Sequence, residues 1–144
     1  MRLQLALNVH NLKEAIDFYS KLFNTAPHKI RTGYANFAIE SPPLKLVLFE
    51  NPLAESRLNH LGVEVLDQAS LTKSQQRFTE ADLLDSTESE VVCCHAAQNK
   101  IWVREPQGLK WEWYMITDDN PPLQSDQTAC CNGINTFERS ACCS

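Results

Sequence analysis

Apolar and polar residues alternate in the first structured segment of the chain. Residues 3–9 read Leu-Gln-Leu-Ala-Leu-Asn-Val, and this period of two predicts a strand. Over residues 12–23 the apolar spacing changes to three and four, which predicts an amphipathic helix. Asn11 precedes that helix and Glu14 follows three residues later, which is the spacing of a capping box. Two strands are then predicted at residues 34–40 and 44–50.

The same order of elements returns in the second half of the chain. A strand is predicted at residues 58–65, a more polar helix at 67–81, and strands at 91–95, 100–104 and 110–116. Leu5 corresponds to Leu61 at an offset of 56, and Leu46 corresponds to Trp111 at an offset of 65. We interpret residues 1–116 as one α+β domain of two βαβββ modules, about 1–55 and 56–116. The sheets of such paired repeats usually form a shared cavity.

Composition changes after residue 116. Residues 117–144 are rich in Asp, Asn, Ser, Thr, Pro and Cys, and their only larger aliphatic or aromatic side chains are Leu123, Ile134 and Phe137. Such a segment cannot bury enough apolar surface to offset its ordering entropy. We therefore predict a disordered, flexible C-terminal tail that contains cysteines.

Charge and apolar run length exclude several classes of partner. The net charge is −5 and no basic stripe occurs, which disfavours nucleic-acid binding. The apolar runs are far shorter than the ~20 residues that span a bilayer, and the strand pattern starts at Leu3 without a preceding signal peptide. We expect a cytoplasmic protein that binds neither nucleic acid nor membrane.

The six cysteines occur as three adjacent pairs. They are Cys93 with Cys94, Cys130 with Cys131, and Cys142 with Cys143. Neighbouring Cα atoms lie ~3.8 Å apart, closer than the roughly 4.4–6.8 Å of ordinary disulfides, so a bridge within a pair would be strained. Two free thiols one residue apart suit a soft ion in a reducing compartment. The alternative is that each pair packs as small hydrophobes.

Three polar side chains fall on the strand faces opposite the apolar positions. They are Gln4, His60 and Glu112. If the apolar phases pack under the helices, one imidazole, one carboxylate and one amide oxygen share the other face. Such a set resembles the open facial site of non-haem Fe(II) oxygenases. Each residue alone also has an ordinary structural explanation, although Glu112, between two tryptophans, must be hydrated, paired or metal-bound.

Several segments resemble a known family. The repeat, LNHLGVEV at 58–65 and WEWY at 111–114 resemble the vicinal oxygen chelate superfamily of glyoxalases, extradiol dioxygenases and bleomycin-resistance proteins. The chain is more closely similar to the ArsI/CadI branch of carbon–arsenic lyases, some described as cadmium-induced. That similarity covers residues 2–116 and rests on LQLALNV at 3–9, FYSKLF at 18–23, GYANFAI at 33–39, PPLKLVL at 42–48, CC at 93–94 and QNKIWV at 98–103.

The resemblance implies a vicinal oxygen chelate fold with a metal-containing cavity. It implies that Fe(II) is bound by Gln4, His60 and Glu112. The catalytic residues would be His60 and Glu112, and the substrate would be bound by Cys93 and Cys94. The implied reaction is Fe(II)- and O2-dependent cleavage of the C–As bond of trivalent organoarsenicals, such as methylarsonous acid and reduced aromatic arsenicals. It releases arsenite and so detoxifies arsenic. The partners are the organoarsenical and O2, and a homodimer is left open.

Two departures and two alternatives accompany this interpretation. Other superfamily members often carry His at the position of Gln4, and Val47, the repeat mate of Glu112, cannot bind a metal. Non-catalytic, thiol-based sequestration of arsenite or cadmium is one alternative, but it would not use His60 and Glu112. Another superfamily enzyme, such as a glyoxalase or thiol transferase, is disfavoured by Val47 and the cysteine pair. Lys100 is expected to line the loop that carries that pair.

Overall fold

Eight strands and two helices build the part of the chain described by the computed structural model, residues 1–93 and 96–121. The first module contains β1 (Arg2–Val9), α1 (Leu12–Phe23), β2 (Lys29–Arg31), β3 (Tyr34–Ile39) and β4 (Leu44–Glu50). The second contains β5 (Leu58–Glu64), α2 (Gln68–Glu80), β6 (Leu84–Cys93), β7 (Ala96–Arg104) and β8 (Lys110–Asp118). The predicted α+β class and the repeated βαβββ order are confirmed.

The helix boundaries follow from capping side chains. Asn11 accepts a hydrogen bond from the Glu14 backbone N–H, and α1 ends at Phe23, followed by the capping residue Asn24 in a left-handed conformation, as is common at helix C-termini. Asp67 caps α2 by accepting from the Ser70 backbone N–H at 2.7 Å. These local signals explain why both helices lie where the sequence predicted them.

The strand predictions require four corrections. The pattern missed β2, because three residues are too short to show a period of two. β6 begins at Leu84 rather than residue 91, since its first half is exposed and polar on an edge strand, where burial imposes no alternation. β7 begins at Ala96 rather than residue 100, and β8 continues to Asp118 rather than ending at 116. Residues 117 and 118 of the predicted tail thus belong to β8, and residues 122–144 lie outside the described residues.

All eight strands belong to one sheet. Their order is β2-β3-β4-β1-β5-β8-β7-β6. From the centre outwards, each strand of the first module therefore has its counterpart from the second module at the same distance on the other side. β1 and β5 pair antiparallel at the centre, with β4 parallel to β1 and β8 parallel to β5. The inner strands of both modules therefore lie side by side.

One face of the sheet packs against the helices. Under α1 the buried residues include Val9, Phe37 and Leu46, and under α2 Val65 and Ile101 pack with helix residues. Burial of one such side chain contributes roughly 1.5–3 kcal/mol. These two clusters hold each helix on what we call the helix face of the sheet.

The opposite face is concave. Lys29 of β2 forms an ion pair of 2.9 Å with Asp119, just after β8, although four strands separate β2 from β8. In a flat sheet five strand spacings would measure roughly 24 Å, so the sheet must curl. Gln4 is 4% exposed whereas Leu3, on the helix face, is 47% exposed. Curvature thus buries polar side chains on what we call the concave face.

Neither helix of the described ranges is long and apolar enough to cross a bilayer.

Candidate metal centre

Packing on the helix face determines which side chains point into the concave face. Trp113 of β8 contacts Phe78 of α2 edge-on, with ring centroids 5.1 Å apart. Because neighbouring residues of a strand point to opposite faces, Glu112 is directed away from that helix. The same alternation directs Gln4 of β1 and His60 of β5 to the concave face. The apolar partners in each strand thereby position the polar ones.

Gln4, His60 and Glu112 meet at the centre of the concave face. Gln4 Nε2 lies 3.0 Å from His60 Nε2 and 2.9 Å from Glu112 Oε2, and His60 Nε2 lies 3.3 Å from Glu112 Oε2. All three residues are buried. The structure therefore brings together the three side chains named from the sequence, while their role as metal ligands stays a prediction. We call these three residues the donor triad.

Gly62 allows this close approach. It pairs with Gln4 on one side and with Glu112 on the other. A Cβ atom at this position would lie 3.1 Å from the Glu112 carbonyl oxygen and 3.3 Å from Gln4 Nε2. Such distances are tighter than normal packing, so a side chain here would displace the donor triad.

Lys100 neutralises the buried charge of Glu112. Its Nζ lies 2.7 Å from Glu112 Oε1, and both side chains are buried. Burial raises the pKa of Glu112, but the Lys100 ammonium and the His60 ring outweigh that effect and hold the pKa at about 2. Glu112 is therefore ionised, with Oε1 on Lys100 and Oε2 facing Gln4 and His60. The expectation that Lys100 lines the cysteine loop is corrected: alternation along β7 places it on the concave face beside Glu112.

Tyr114 holds the amide of Gln4. Its hydroxyl donates to Gln4 Oε1 at 2.6 Å, and burial raises the pKa of Tyr114 well above its usual value, so the hydroxyl keeps its proton. Sequence reasoning gave this residue no role. The available signal was its position two residues after Glu112, on the same face of the strand.

Glu64 shares the concave face with His60 but has other partners. Its Oε2 lies 2.6 Å from Arg2 Nη2, and its Oε1 lies 3.7 Å from Lys45 Nζ. Burial lowers the pKa of Lys45, against the opposing effect of Glu64. These two cations engage both carboxylate oxygens, which separates Glu64 from the donor triad.

The donor triad fits a divalent metal. Adjacent ligands of an octahedral ion at about 2.1 Å are roughly 3.0 Å apart, close to the three distances within the triad. Glu112 is ionised, and a half-turn of the Gln4 amide would exchange Nε2 for the oxygen Oε1. The Tyr114 hydroxyl can accept an N–H as well as donate, so it is compatible with either orientation. Among the described residues no three His, Cys, Asp or Glu side chains form a metal-binding group, so the site depends on this amide.

Val47 occupies the position that corresponds to Glu112 in the first module. It is buried with Ala6 and Tyr34, and Phe49 packs against them. Val47 has no donor atom, as expected from the sequence. Val47 therefore gives this part of the concave face an apolar position, beside the buried polar side chains of Asn36 on β3 and Lys45 on β4.

The Cys93 backbone lies far along the sheet from the donor triad. Cys93 pairs with Ala96 at the end of the β6–β7 hairpin, whereas Trp102, six residues farther along β7, pairs with Glu112. Six residues of strand span roughly 20 Å. The side chain of Cys93 and all of Cys94 lie outside the described residues, as do Cys130, Cys131, Cys142 and Cys143. Their predicted binding of substrate stays a prediction.

Comparisons with known proteins add a family and close relatives. A family model described as Glyoxalase/Bleomycin resistance protein/Dioxygenase superfamily matches residues 3–113. The chain is 49% identical over 132 residues to the "Trivalent organoarsenical cleaving enzyme" of Thermomonospora curvata, covering 90% of this chain and 87% of that protein. It is 48% identical over 142 residues to the "Cadmium-induced protein CadI" of Mycobacterium tuberculosis, covering 99% and 92%.

A solved structure supports the fold alone. The glyoxalase/bleomycin resistance protein/dioxygenase superfamily member from Vibrio splendidus matches with a TM-score of 0.51 and 17% identity, covering 80% of this chain and 97% of that one. At such identity the likeness extends to the arrangement of strands and helices.

Proposed function

We propose, from the premise that this chain belongs to the glyoxalase/bleomycin resistance protein/dioxygenase superfamily, that it cleaves the carbon–arsenic bond of trivalent organoarsenicals. The Thermomonospora curvata relative carries that activity in its name, and its alignment spans 90% of this chain. The proposed substrates are methylarsonous acid and reduced aromatic arsenicals, and the product is arsenite. The proposed role is arsenic detoxification in the cytoplasm, where thiols stay reduced.

The observation that carries the proposal is the buried donor triad beside Lys100. Taking an ionised carboxylate and an ammonium group out of water costs several kcal/mol per ion before pairing. A protein that only sequesters a soft ion through its thiols gains nothing from that arrangement. An enzyme does, because a buried, charged, pre-positioned site can hold a reactive metal.

We propose Fe(II) as the metal, bound by His60, Glu112 and Gln4. When bound, it would supply the activation of O2. Lys100 keeps Glu112 Oε1 occupied, so that Oε2 remains directed at the metal site. Tyr114 keeps the Gln4 amide in place, and the curled sheet excludes bulk water from all three side chains.

The atom balance of the proposed reaction is simple. One molecule of methylarsonous acid and one of O2 balance against one arsenous acid and one formaldehyde. The C–As bond breaks, arsenic stays trivalent, carbon is oxidised and O2 is reduced. Formaldehyde is therefore a second product that can be counted against arsenite.

We further propose that Cys93 and Cys94 bind the arsenic atom. As(III) is soft and prefers thiolates, whereas Fe(II) is suited to the harder nitrogen and oxygen donors of the triad. Binding and redox chemistry would then use different groups, and holding the C–As bond near the metal raises its effective concentration. Because Cys93 pairs with Ala96, which lies six residues along β7 from Trp102, this role requires the end of β6 to approach the triad.

The test is release of arsenite from methylarsonous acid by the Fe(II)-loaded protein in air. Arsenite and formaldehyde should appear in equal amounts, and neither should appear without O2. His60→Ala should abolish release, whereas His10→Ala, at an exposed histidine, should leave it unchanged. Equal release by His60→Ala and the wild type would refute the site.

A second experiment isolates the thiol pair. Replacing Cys93 and Cys94 by Ser should abolish cleavage and leave Fe(II) binding intact. Replacing the four tail cysteines should lower the amount of As(III) bound but spare cleavage at saturating substrate. Full cleavage by the Cys93/Cys94 variant would contradict their assignment.

Sequestration of arsenite or cadmium is the second candidate function. The three thiol pairs favour it, and so does the name of the cadmium-induced relative. It predicts binding of arsenite or Cd²⁺ with no arsenite release from methylarsonous acid under any condition. The arsenite assay therefore separates the two functions.

A further inference from the structure

A chain of side-chain hydrogen bonds connects His60 to a backbone carbonyl outside the donor triad. Asn8 Nδ2 donates to the Ser56 carbonyl oxygen at 2.9 Å, and Asn59 Nδ2 donates to Asn8 Oδ1 at 3.0 Å. Asn59 Oδ1 then lies 2.7 Å from His60 Nδ1. We call these bonds the asparagine relay.

The direction of the relay is set at Ser56. A backbone carbonyl only accepts hydrogen bonds, so Asn8 must present its NH2 group there and use Oδ1 to accept from Asn59. Asn59 consequently presents Oδ1, which has no proton, to the imidazole. Only a ring that carries its proton on Nδ1 can complete this bond, so Nε2 of His60 holds the lone pair.

A β-bulge makes this contact possible. In the β1–β5 pairing Ala6 is opposite His60 and Leu7 is opposite Leu58, so Asn59 is skipped. Bulged residues are re-aimed relative to their strand. Asn59 can therefore turn towards the ring of its own neighbour instead of pointing to the opposite face.

The asparagine relay and the Glu112 carboxylate favour opposite tautomers of His60. Glu112 Oε2 lies 3.3 Å from His60 Nε2 and would by itself favour a proton on Nε2. That tautomer would block the nitrogen that faces Gln4 and Glu112. A histidine binds a metal through the nitrogen that lacks a proton, and the other nitrogen's hydrogen bond decides which one that is.

We propose that Asn59 and Asn8 are positioning residues of the metal centre, which fix His60 in the tautomer whose Nε2 can bind a metal. The role rests on the metal site of the proposed function and is independent of the substrate. Outer hydrogen-bond partners of this kind typically change metal affinity about 10–100-fold.

The test uses metal-free, full-length protein and two readouts. Long-range proton–nitrogen NMR correlations of the His60 ring, recorded where the ring is neutral, report which nitrogen carries the proton. Titration with Co(II) alone reports metal affinity. We expect the Nδ1–H tautomer in the wild type, and in Asn59→Leu the Nε2–H tautomer with Co(II) affinity lowered about 10–100-fold.

Two further variants grade the effect, and a third is the control. Asn59→Asp keeps an acceptor for Nδ1–H and should retain the wild-type tautomer. Asn8→Ala removes the anchor at Ser56 without touching the ring, and should give a mixture of tautomers with a smaller affinity loss. Asn120→Leu makes the Asn-to-Leu change at an exposed position and should match the wild type in both readouts.

The outcomes separate this inference from the proposed function. Neither readout needs an arsenical, so a failure of C–As cleavage would leave the positioning role standing. An Nε2–H tautomer in the wild type would overturn it. So would wild-type Co(II) affinity and tautomer in Asn59→Leu, and where that variant does not fold, the same result in Asn8→Ala would do so.

Discussion

The two halves of the concave face occupy corresponding positions of the repeat but carry different chemistry. His60 and Glu112 of the second module present an imidazole and an ionised carboxylate, whereas their mates in the first module are Gln4 and Val47. On the second-module side Lys100 balances the charge. On the first-module side Val47 packs among apolar and aromatic neighbours.

This difference shows what the repeat supplies and what it leaves to individual residues. The backbone symmetry provides four inward positions around one point, two from each module. The side chains at those positions then decide how many donors face that point. His60 and Glu112 on one side and the weaker amide donor of Gln4 on the other leave the Val47 position open for O2 or substrate in the proposed function.

The largest effect should come from removing the charge of the second-module side. Glu112→Gln keeps the side chain's size but leaves the Lys100 ammonium buried without its carboxylate. We expect loss of bound Fe(II) and of C–As cleavage, and a free energy of unfolding lowered by about 3 kcal/mol. Urea unfolding and metal analysis measure both effects.

A second substitution separates stability from metal binding. Adding Lys100→Met to Glu112→Gln removes the buried ammonium that has lost the Glu112 carboxylate, and should recover most of the lost stability. It should not restore Fe(II) binding or cleavage. Recovery of Fe(II) binding in the double variant would show that Glu112 is not a ligand.

Low pH should remove the difference in stability between the wild type and Glu112→Gln. Since the Lys100 ammonium and His60 hold the folded-state pKa of Glu112 near 2, against an ordinary 4.5, the ionised group stabilises the fold above pH 4.5. That contribution, about 3 kcal/mol, is lost as the pH falls towards 2. Unfolding curves of the wild type and Glu112→Gln should therefore converge over this interval. A gap that stays constant down to pH 2 would contradict the ion pair's contribution.

Much of the fold could be predicted because its elements carry local signals. Both helices have capping residues and an apolar stripe, β1 and most of β5 alternate, and β4 is a short apolar run bounded by turn residues. β2 and the first half of β6 could not be predicted, since they lie at the two edges of the sheet. Short or exposed edge strands leave little period in the sequence.

The donor triad could be predicted because strand phase and the repeat both point to it. Lys100 and Tyr114 share that phase, but nothing local says which neighbour each will contact. Asn59 could not be predicted at all, because strand alternation assigns it to the opposite face. Its position depends on a register shift between β1 and β5 that no single strand reveals.

A stronger metal ligand in place of Gln4 tests how much the first module contributes to Fe(II) binding. An imidazole is a better donor than a neutral amide for Fe(II), so Gln4→His should tighten binding about tenfold, or 1.4 kcal/mol. Gln4→Leu should weaken binding by a similar factor. Anaerobic Fe(II) titration measures both changes. Equal affinity in all three proteins would show that Gln4 does not touch the metal.

A smaller effect on Fe(II) binding is expected at Gly62, which lies between Gln4 of the first module and Glu112 of the second. Its added Cβ in Gly62→Ala would press on the Glu112 carbonyl and on Gln4, which should cost about 1–2 kcal/mol and weaken Fe(II) binding several-fold. Gly108→Ala is the control, because its Cβ meets open space but its φ is +97°. That variant should lose about 1 kcal/mol with Fe(II) affinity unchanged. Matching affinity losses in both variants would attribute the effect to stability alone.

The smallest effect should come from removing the end of the chain. Truncation after Pro121 keeps β8 and the contacts of Asp119 with Lys29 and His28, so stability and cleavage should stay near the full-length values. Truncation after Asp118 removes those contacts and should cost about 1 kcal/mol, because Asp119 is half exposed, although the Lys29 side chain is buried, and partly exposed ion pairs contribute little. Cleavage should still persist, since the donor triad and Lys100 remain. Loss of cleavage in the longer, folded truncation would show that residues 122–144 complete the site.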